Sequence, residues 1–162
     1  MEAAEIETLE RARDTSGHNN ADGAIGPIFQ QWLKHEPFWM IVACMLVNMT
    51  HWKQARPVFD WMRQEDESNK DPNWFLTVDR EWLEEHIECL GFVKRRSNNL
   101  ISMAEAWIKN PPETRDDIMD LPGCGKYAAD TWSIFIENRT DVNPTDKDLR
   151  WYMENVVSKE AA

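Results

Sequence analysis

A glycine-containing turn and a carboxylate downstream of it are the features of this sequence that point to chemistry. Residues 121–125 read Leu-Pro-Gly-Cys-Gly, and Asp146 lies nineteen residues beyond Tyr127. The two glycines leave the backbone bare where it turns into a helix, so successive N–H groups can face a phosphate at the positive end of the helix dipole. A phosphate clamp followed by a lone carboxylate indicates an enzyme that acts on a nucleic acid. Residues 121–125 are called the hairpin below.

The charge balance and the cysteines limit the classes of protein to which this chain can belong. The 162 residues carry 29 acidic and 18 basic side chains, a net charge of −11, which is the wrong sign for a typical nucleic-acid-binding protein. Basic residues nevertheless cluster, above all in the run 94–96, so a locally basic face on an acidic body fits the sequence. Cys44, Cys89 and Cys124 form neither a paired motif nor a cluster with the histidines. We therefore expect reduced thiols.

The elements that must position these residues are helical almost throughout. Apolar residues recur at three- and four-residue intervals from Ile28 onward and no alternating strand pattern stands out, so the predicted class is all-α. Residues 1–27 are predicted as an N-terminal helix over 2–13 with a flexible linker, and 28–158 as the main domain. Further helices are predicted from 28, over 37–47, 52–63, 79–90, 94–108, 113–119 and 125–137, and from about 145 onward.

Three motifs occur in a fixed order along the chain and carry a family resemblance. Residues 45–50 read Met-Leu-Val-Asn-Met-Thr, and residues 90–96 read Leu-Gly-Phe-Val-Lys-Arg-Arg. The hairpin comes third, followed by Ala128 and Phe135 in the next helix and by Asp146. Over about residues 27–158 the chain resembles the helix-hairpin-helix DNA glycosylases, the superfamily of endonuclease III and the adenine glycosylase MutY. This resemblance implies a compact helical bundle, with the active-site cleft between a central helical region and a region formed by the N- and C-terminal helices.

Within this superfamily the chain is most similar to the glycosylase domain of the methyl-CpG-binding thymine glycosylases, which remove thymine or uracil mispaired with guanine. The shared features are Gly-Lys-Tyr after the hairpin, Asn-x-Thr in 45–50, Pro57 after it, and Pro-x-Asp before the last helix. Two positions depart from that pattern, because those enzymes carry arginine at Met49 and lysine at Asp148. Residues 45–50 are called the wedge loop below, and residues 90–92 the Leu-Gly-Phe turn.

Asp146 is the predicted catalytic residue. Cleavage of a glycosidic bond builds positive, oxocarbenium-like charge on the sugar, and a nearby carboxylate stabilises that charge and orients the attacking water. Asp146 also stands where it can cap the last helix, and one residue can do both. By the resemblance, Tyr127 occupies the position of the Schiff-base lysine of bifunctional members. A phenol cannot form that imine, so we expect base removal without strand cleavage. Core packing is the alternative role for Tyr127. If an imine does form, Lys126 and Lys147 are the amines that could supply it.

The hairpin is predicted to hold the DNA backbone. Main-chain N–H groups of Gly123 and Gly125 and the charge of Lys126 are the expected phosphate contacts. In the family the hairpin also holds a monovalent cation, K⁺ or Na⁺, through main-chain carbonyls. By position these carbonyls are those of Met119, Leu121 and Cys124.

The remaining predicted contacts concern the target base. A base must leave the duplex before its glycosidic bond can be reached. Met49, beside Asn48 in the wedge loop, is placed to fill the gap, and Phe92 to press on the opposite strand. By the resemblance, Gln30 hydrogen-bonds the flipped pyrimidine, since an amide matches an imide edge with one donor and one acceptor. Core packing or chance exposure is the alternative for Met49 and Phe92, and an ordinary surface position is the alternative for Gln30.

Together these features predict a monofunctional DNA glycosylase that excises a mispaired or damaged pyrimidine (uracil, thymine or a 5-substituted uracil) from double-stranded DNA in base excision repair. A non-catalytic helix-hairpin-helix DNA-binding module and an adenine or alkylpurine glycosylase are the alternatives. No cofactor is expected to be required, and no iron–sulfur cluster, because no cysteine follows Cys124. Without a bilayer-length apolar run or signal-peptide features, we expect a soluble, intracellular monomer.

Overall fold

The computed structural model describes residues 2–17, 26–65 and 72–161. Within these ranges the chain is helical and contains no β-strand, as the sequence predicts. A short 3₁₀ turn follows α6 at Glu88–Leu90, and a π-helical stretch, Met153–Val157, separates the last two α-helices. The α-helices are α1 Ala3–Thr15, α2 Phe29–Leu33, α3 Pro37–Leu46, α4 Trp52–Glu65, α5 Trp74–Thr77, α6 Arg80–Ile87, α7 Val93–Lys109, α8 Arg115–Asp120, α9 Lys126–Phe135, α10 Lys147–Tyr152 and α11 Ser158–Ala161.

Helix α3 forms the centre of the fold. Every residue from Phe38 to Leu46 is buried, and the helix contacts α2, α4, α7 and α9. Pro37 at its first position is pre-set for a helix and has no N–H left unpaired there. Helix α9 packs against it and is buried from Ala128 to Phe135. This pair fixes the two segments that matter below, the wedge loop after α3 and the first turn of α9.

Side-chain caps set several helix starts at the positions that the sequence indicates. The Asp79 carboxylate accepts the N–H of Trp82 at the start of α6. In α8, Thr114 and Asp117 cap each other's backbone reciprocally. Gly91, with φ +74°, ends the turn after α6 as expected, because a side chain there would strain the backbone. These helix boundaries fix the positions of the hairpin and the Leu-Gly-Phe turn.

The N-terminal segment packs on the body of the protein. Helix α1 contacts α2 and ends at Thr15, two residues later than the predicted 13. Ser16 and Gly17 are buried; the Ser16 hydroxyl accepts the Phe29 N–H, and the Gly17 N–H donates to the carbonyl of Pro27 at 3.3 Å. The predicted linker over 14–27 is therefore corrected at 14–17, where the chain is helical or buried, and its part over 18–25 lies outside the described residues.

The described helices are too short or too polar to cross a membrane.

Aromatic side chains fill much of the core. Phe29 stacks on Trp52 with ring centroids 4.6 Å apart, and Trp39 meets Phe59 edge to face at 5.8 Å. This cluster anchors α2 and α4 against α3.

Candidate active site

A cleft of about 420 Å³ brings the two predicted catalytic residues together with the wedge loop. Asp146 and Tyr127 form part of its wall, and Asn48 and Met49 form another part. Its lining residues are Ser16, Phe29, Val47, Asn48, Met49, Thr50, His51, Trp52, Tyr127, Thr145, Asp146, Lys147 and Asp148. The contribution of Ser16 means that the N-terminal segment forms part of this wall.

Asp146 is fixed by the helix that it caps. Its Oδ2 accepts the N–H groups of Asp148 and Leu149, each at 3.0 Å. Its Oδ1 accepts no hydrogen bond from the part of the chain that the structure describes. Asp146 thus caps α10, and this role uses only one of its two carboxylate oxygens. The other oxygen is left for the cleft, on a side chain that the cap holds rigid.

Tyr127 and Gln30 form a buried pair. The Gln30 amide nitrogen donates to the Tyr127 hydroxyl oxygen at 2.8 Å. Burial raises the pKa of Tyr127 well above its ordinary value, and the charges of Cys44 and Asp146 add to this, so the phenol is neutral at physiological pH. Gln30 is fully buried, and its Oε1 has no partner among the described residues. The cleft wall includes Tyr127 and not Gln30, so Gln30 acts on the cleft through Tyr127.

A second carboxyl group, that of Asp148, lies in the same cleft. Burial raises its pKa above the ordinary value, and the negative charge of Asp146 adds to this, while Lys147 and His51 oppose it. Its Oδ1 is buried with no hydrogen-bond partner in the described chain. The predicted lysine-to-aspartate difference at this position therefore places a second, poorly solvated acid beside Asp146.

The wedge loop and the Leu-Gly-Phe turn present two exposed apolar side chains beside a neighbouring groove of about 310 Å³. Met49 is 82% exposed and Phe92 is 62% exposed. Both backbones are left-handed, with φ of 63° at Met49 and 50° at Phe92, a conformation that non-glycine residues adopt rarely and at a cost of about 1–2 kcal/mol. Asn48 and Gly123 also line this groove. The predicted contacts Met49, Phe92 and Gly123 are thus brought to one surface.

The basic run 94–96 is divided among three environments. The Lys94 ammonium pairs with Glu84 at 2.6 Å. Arg95 is exposed and lines the groove. Arg96 is only 7% exposed, and its guanidinium donates to main-chain carbonyls of the wedge loop and the Leu-Gly-Phe turn. The sequence predicts one basic patch over 94–96, and the burial of Arg96 removes its guanidinium from that patch.

The hairpin is tightly closed and packs against α7. The Cys124 N–H donates to the Leu121 carbonyl at 3.1 Å. Gly123 has φ +74°, and a Cβ added there would lie 2.8 Å from the Cβ of Asn99. Gly125 is extended and caps α9, with open space where its Cβ would be. The two glycines therefore serve different purposes: close approach at Gly123 and bare backbone at Gly125.

Lys126 makes contacts that the sequence reading did not assign to it. Its ammonium lies 2.6 Å from the carboxylate of Asp130 and donates to the Asn143 carbonyl at 3.1 Å. Asp130 is buried and also accepts from Arg115 of α8 at 2.7 Å. The triad of Arg115, Lys126 and Asp130 ties α8 to α9, so Lys126 can reach a phosphate only while shared with Asp130.

The predicted cation site involves main-chain atoms around the hairpin turn. The Leu121 carbonyl already accepts the Cys124 N–H and keeps a second lone pair, as a carbonyl oxygen has two. Met119 is exposed and Cys124 is half-buried. Among the described residues no cluster of three or more histidine, cysteine or acidic side chains is arranged to hold a metal ion. A cation on the main-chain carbonyls of this turn stays a prediction.

This fold is that of the helical DNA glycosylases. The chain superposes on a thermostable thymine-DNA glycosylase with a TM-score of 0.58 and 18% sequence identity, over 83% of this chain and 58% of that one. No protein-family model matches the sequence.

A relationship in sequence is also found. The chain is 31% identical over 121 residues to the methyl-CpG-binding domain protein 4-like protein of Arabidopsis thaliana. The match covers 74% of this chain and 26% of the plant protein, so the chain spans about a quarter of that relative. The likeness and the fold together show a relationship to the DNA glycosylases, as the sequence motifs predict.

Proposed function

We propose that this protein is a monofunctional DNA glycosylase that removes a mispaired or damaged pyrimidine of the uracil type from duplex DNA. The observation that carries the proposal is the cleft that holds Asp146 and Tyr127 together, with one oxygen of Asp146 unused by the helix cap. The fold of a thymine-DNA glycosylase supports it.

The first step is extrusion of the target nucleotide. Flipping a base costs a few kcal/mol of stacking and pairing, and an apolar side chain that fills the vacated space offsets part of this. Met49 supplies that side chain, and Phe92 lies on the same surface to contact the opposite strand. Because Met49 also lines the cleft, the gap and the extruded base are close to one another.

The extruded base is recognised through the Tyr127–Gln30 pair. Gln30 is fully buried and does not line the cleft, so its nitrogen holds the Tyr127 hydroxyl in place and does not contact the base itself. Tyr127 lines the cleft, and its phenolic O–H is the group placed to donate to a carbonyl of a uracil-type base.

Bond cleavage is assigned to Asp146. As the bond between C1′ and the base breaks, the base leaves with the bonding electron pair and positive charge develops on the sugar. The Asp146 carboxylate stabilises this charge and accepts a proton from the water that attacks C1′. The departing base takes up a proton and Asp146 releases the one that it accepted from water, so the products are a neutral free base and an abasic site.

Strand cleavage is not expected, because Tyr127 cannot form an imine. Lys126 is committed to Asp130, which disfavours it as a nucleophile. Lys147 lines the cleft and is the amine to test. Trapping with borohydride, with Lys147→Arg as the control variant, distinguishes an imine-forming enzyme from a monofunctional one.

The DNA backbone is assigned to the hairpin. The open space at Gly125 lets a phosphate approach the start of α9, and the exposed Arg95 adds positive charge at the groove. A monovalent cation on the carbonyls of Met119, Leu121 and Cys124 would add positive charge at the same turn. We propose double-stranded DNA as the partner and a monomer as the working form.

A non-catalytic DNA-binding module is the second candidate, favoured by Met49, which stands where the similar thymine glycosylases carry arginine. The deciding experiment incubates the protein with duplexes that carry uracil, thymine or 5-hydroxymethyluracil opposite guanine, an adenine mismatch or an alkylated purine, and then heats them in alkali. Cleavage after alkali at the pyrimidines alone supports the proposal. Binding without cleavage of any duplex supports the module, release of purines alone supports a purine glycosylase, and cleavage before alkali refutes monofunctionality.

A further inference from the structure

Two exposed apolar tips of this protein sit on unfavourable backbone. Met49 and Phe92 are both left-handed and both largely exposed. A left-handed backbone at a non-glycine residue persists only where the surroundings over-determine it. Contacts from neighbouring residues must therefore outweigh the backbone strain at Met49 and Phe92, and one group that contacts both segments would do so.

The buried guanidinium of Arg96 is the group found there. Its Nη2 donates to the carbonyl of Asn48 at 2.7 Å and to the hydroxyl oxygen of Thr50 at 2.9 Å, the residues on either side of Met49. Its Nη1 donates to the Met45 and Leu46 carbonyls, each at 3.2 Å. These four contacts fix the wedge loop on both flanks of its tip.

The same side chain also holds the residues before Phe92. The Arg96 Nε donates to the Gly91 carbonyl at 2.8 Å, and Nη2 donates to the Leu90 carbonyl at 3.2 Å. The Thr50 hydroxyl donates to the same Leu90 carbonyl at 3.4 Å. One guanidinium thus bridges two segments whose nearest residues, Thr50 and Leu90, lie forty positions apart in the sequence.

The chemistry of this contact is specific to arginine. The six acceptors are neutral carbonyl or hydroxyl oxygens, and the guanidinium presents five N–H groups in a fixed planar fork. Lysine carries the same charge on a compact ammonium with three N–H groups, so it can bond at most half of the six acceptors. Arginine to lysine is therefore a disruptive change here.

We propose that Arg96 is a positioning residue that locks the wedge loop and the Leu-Gly-Phe turn into one rigid unit for entry into the duplex. This inference rests on the proposed function for its purpose. Its structural half, the coupling of two loops through one side chain, stands independently of any activity.

The first test measures hydrogen exchange of the full chain in Arg96→Lys, with Arg95→Lys as the matched control from the same turn of α7. The amides of Thr50 and Gly91 should each lose about tenfold or more of their protection, while those of the buried residues Leu100, Met103 and Ala104 keep wild-type values. Unchanged protection, a loss in one segment only, or a uniform loss throughout the chain would overturn the proposal.

The second test measures single-turnover excision from a uracil–guanine duplex. We expect Arg96→Lys to slow excision by about thirtyfold or more while binding to undamaged duplex changes by less than about threefold. In a Met49→Ala/Phe92→Ala background, Arg96→Lys should slow excision by less than about threefold, because the tips that it positions are gone. An equal effect in both backgrounds would overturn the positioning role. If the wild type excises nothing, the proposed function fails, and the exchange experiment still decides the coupling.

Discussion

Replacement of Gly123 by alanine tests the packing of the hairpin directly. A Cβ at this position would lie 2.8 Å from the Asn99 Cβ and 3.0 Å from the Met45 Cε, on a backbone with φ +74°. The methionine end can move aside, but the Asn99 Cβ moves only with the backbone of α7. The left-handed backbone costs about 1–2 kcal/mol and the forced displacement another 1–3 kcal/mol. We expect Gly123→Ala to destabilise the protein by about 3 kcal/mol, lowering Tm by roughly 6–12 °C.

Two other glycines separate these contributions. Gly91 has the same φ of +74° with nothing within 4 Å of an added Cβ, so Gly91→Ala carries the backbone cost alone. Gly125 has a negative φ and equally open surroundings, so Gly125→Ala should change stability by less than about 0.5 kcal/mol. Thermal and urea unfolding of the three variants should rank Gly123→Ala as clearly the least stable. If Gly123→Ala is as stable as Gly91→Ala, the close approach of the hairpin to α7 is refuted.

Three further variants test individual contacts by the free energy of unfolding. Tyr127→Phe leaves the buried Gln30 nitrogen without its acceptor and should cost about 1–2 kcal/mol in urea unfolding; an unchanged value would contradict the pair. Asp130→Asn removes the buried charge between Arg115 and Lys126, whose side chains are 28% and 48% exposed. We expect the free energy of unfolding to fall by about 2 kcal/mol, less than the 3–5 kcal/mol typical of fully buried pairs. A loss that added salt abolishes would contradict this. Because the pKa of Asp148 is raised, its ionisation destabilises the folded protein as pH rises through that pKa. Asp148→Asn should therefore increase the free energy of unfolding by on the order of 0.5 kcal/mol at about pH 7, a figure discounted for partial exposure. This gain should shrink toward about pH 4. A gain that is independent of pH would contradict the last assignment.

The positions of the helices could be predicted because their signals are local. Asp79 caps the start of α6, and Gly91 ends the 3₁₀ turn that follows this helix, both as the sequence predicts. Asp146 likewise stands at the start of a helix, so its cap was foreseeable. Short-range hydrogen bonds and backbone preferences decide such features, and both are visible within a few residues.

The use of the basic side chains could not be predicted in the same way. Three consecutive residues of a helix point in directions about 100° apart, so the run 94–96 was bound to divide. The partners of Arg96 come from segments that only the tertiary fold brings near. The pairing of Lys126 with Asp130 was different, because a four-residue spacing on a helix is a known signal for an ion pair.

The account rests most directly on the catalytic role of Asp146, and Asp146→Asn isolates that role. Asparagine caps a helix about as well as aspartate, so the variant should unfold within about 0.5 kcal/mol of the wild type while the negative charge is gone. The decisive measurement is the single-turnover rate of abasic-site formation on a uracil–guanine duplex, with wild type and variant side by side. We predict abasic sites with the wild type and a rate at least about a hundredfold lower with a folded Asp146→Asn protein. An equal rate in the two proteins would contradict the account.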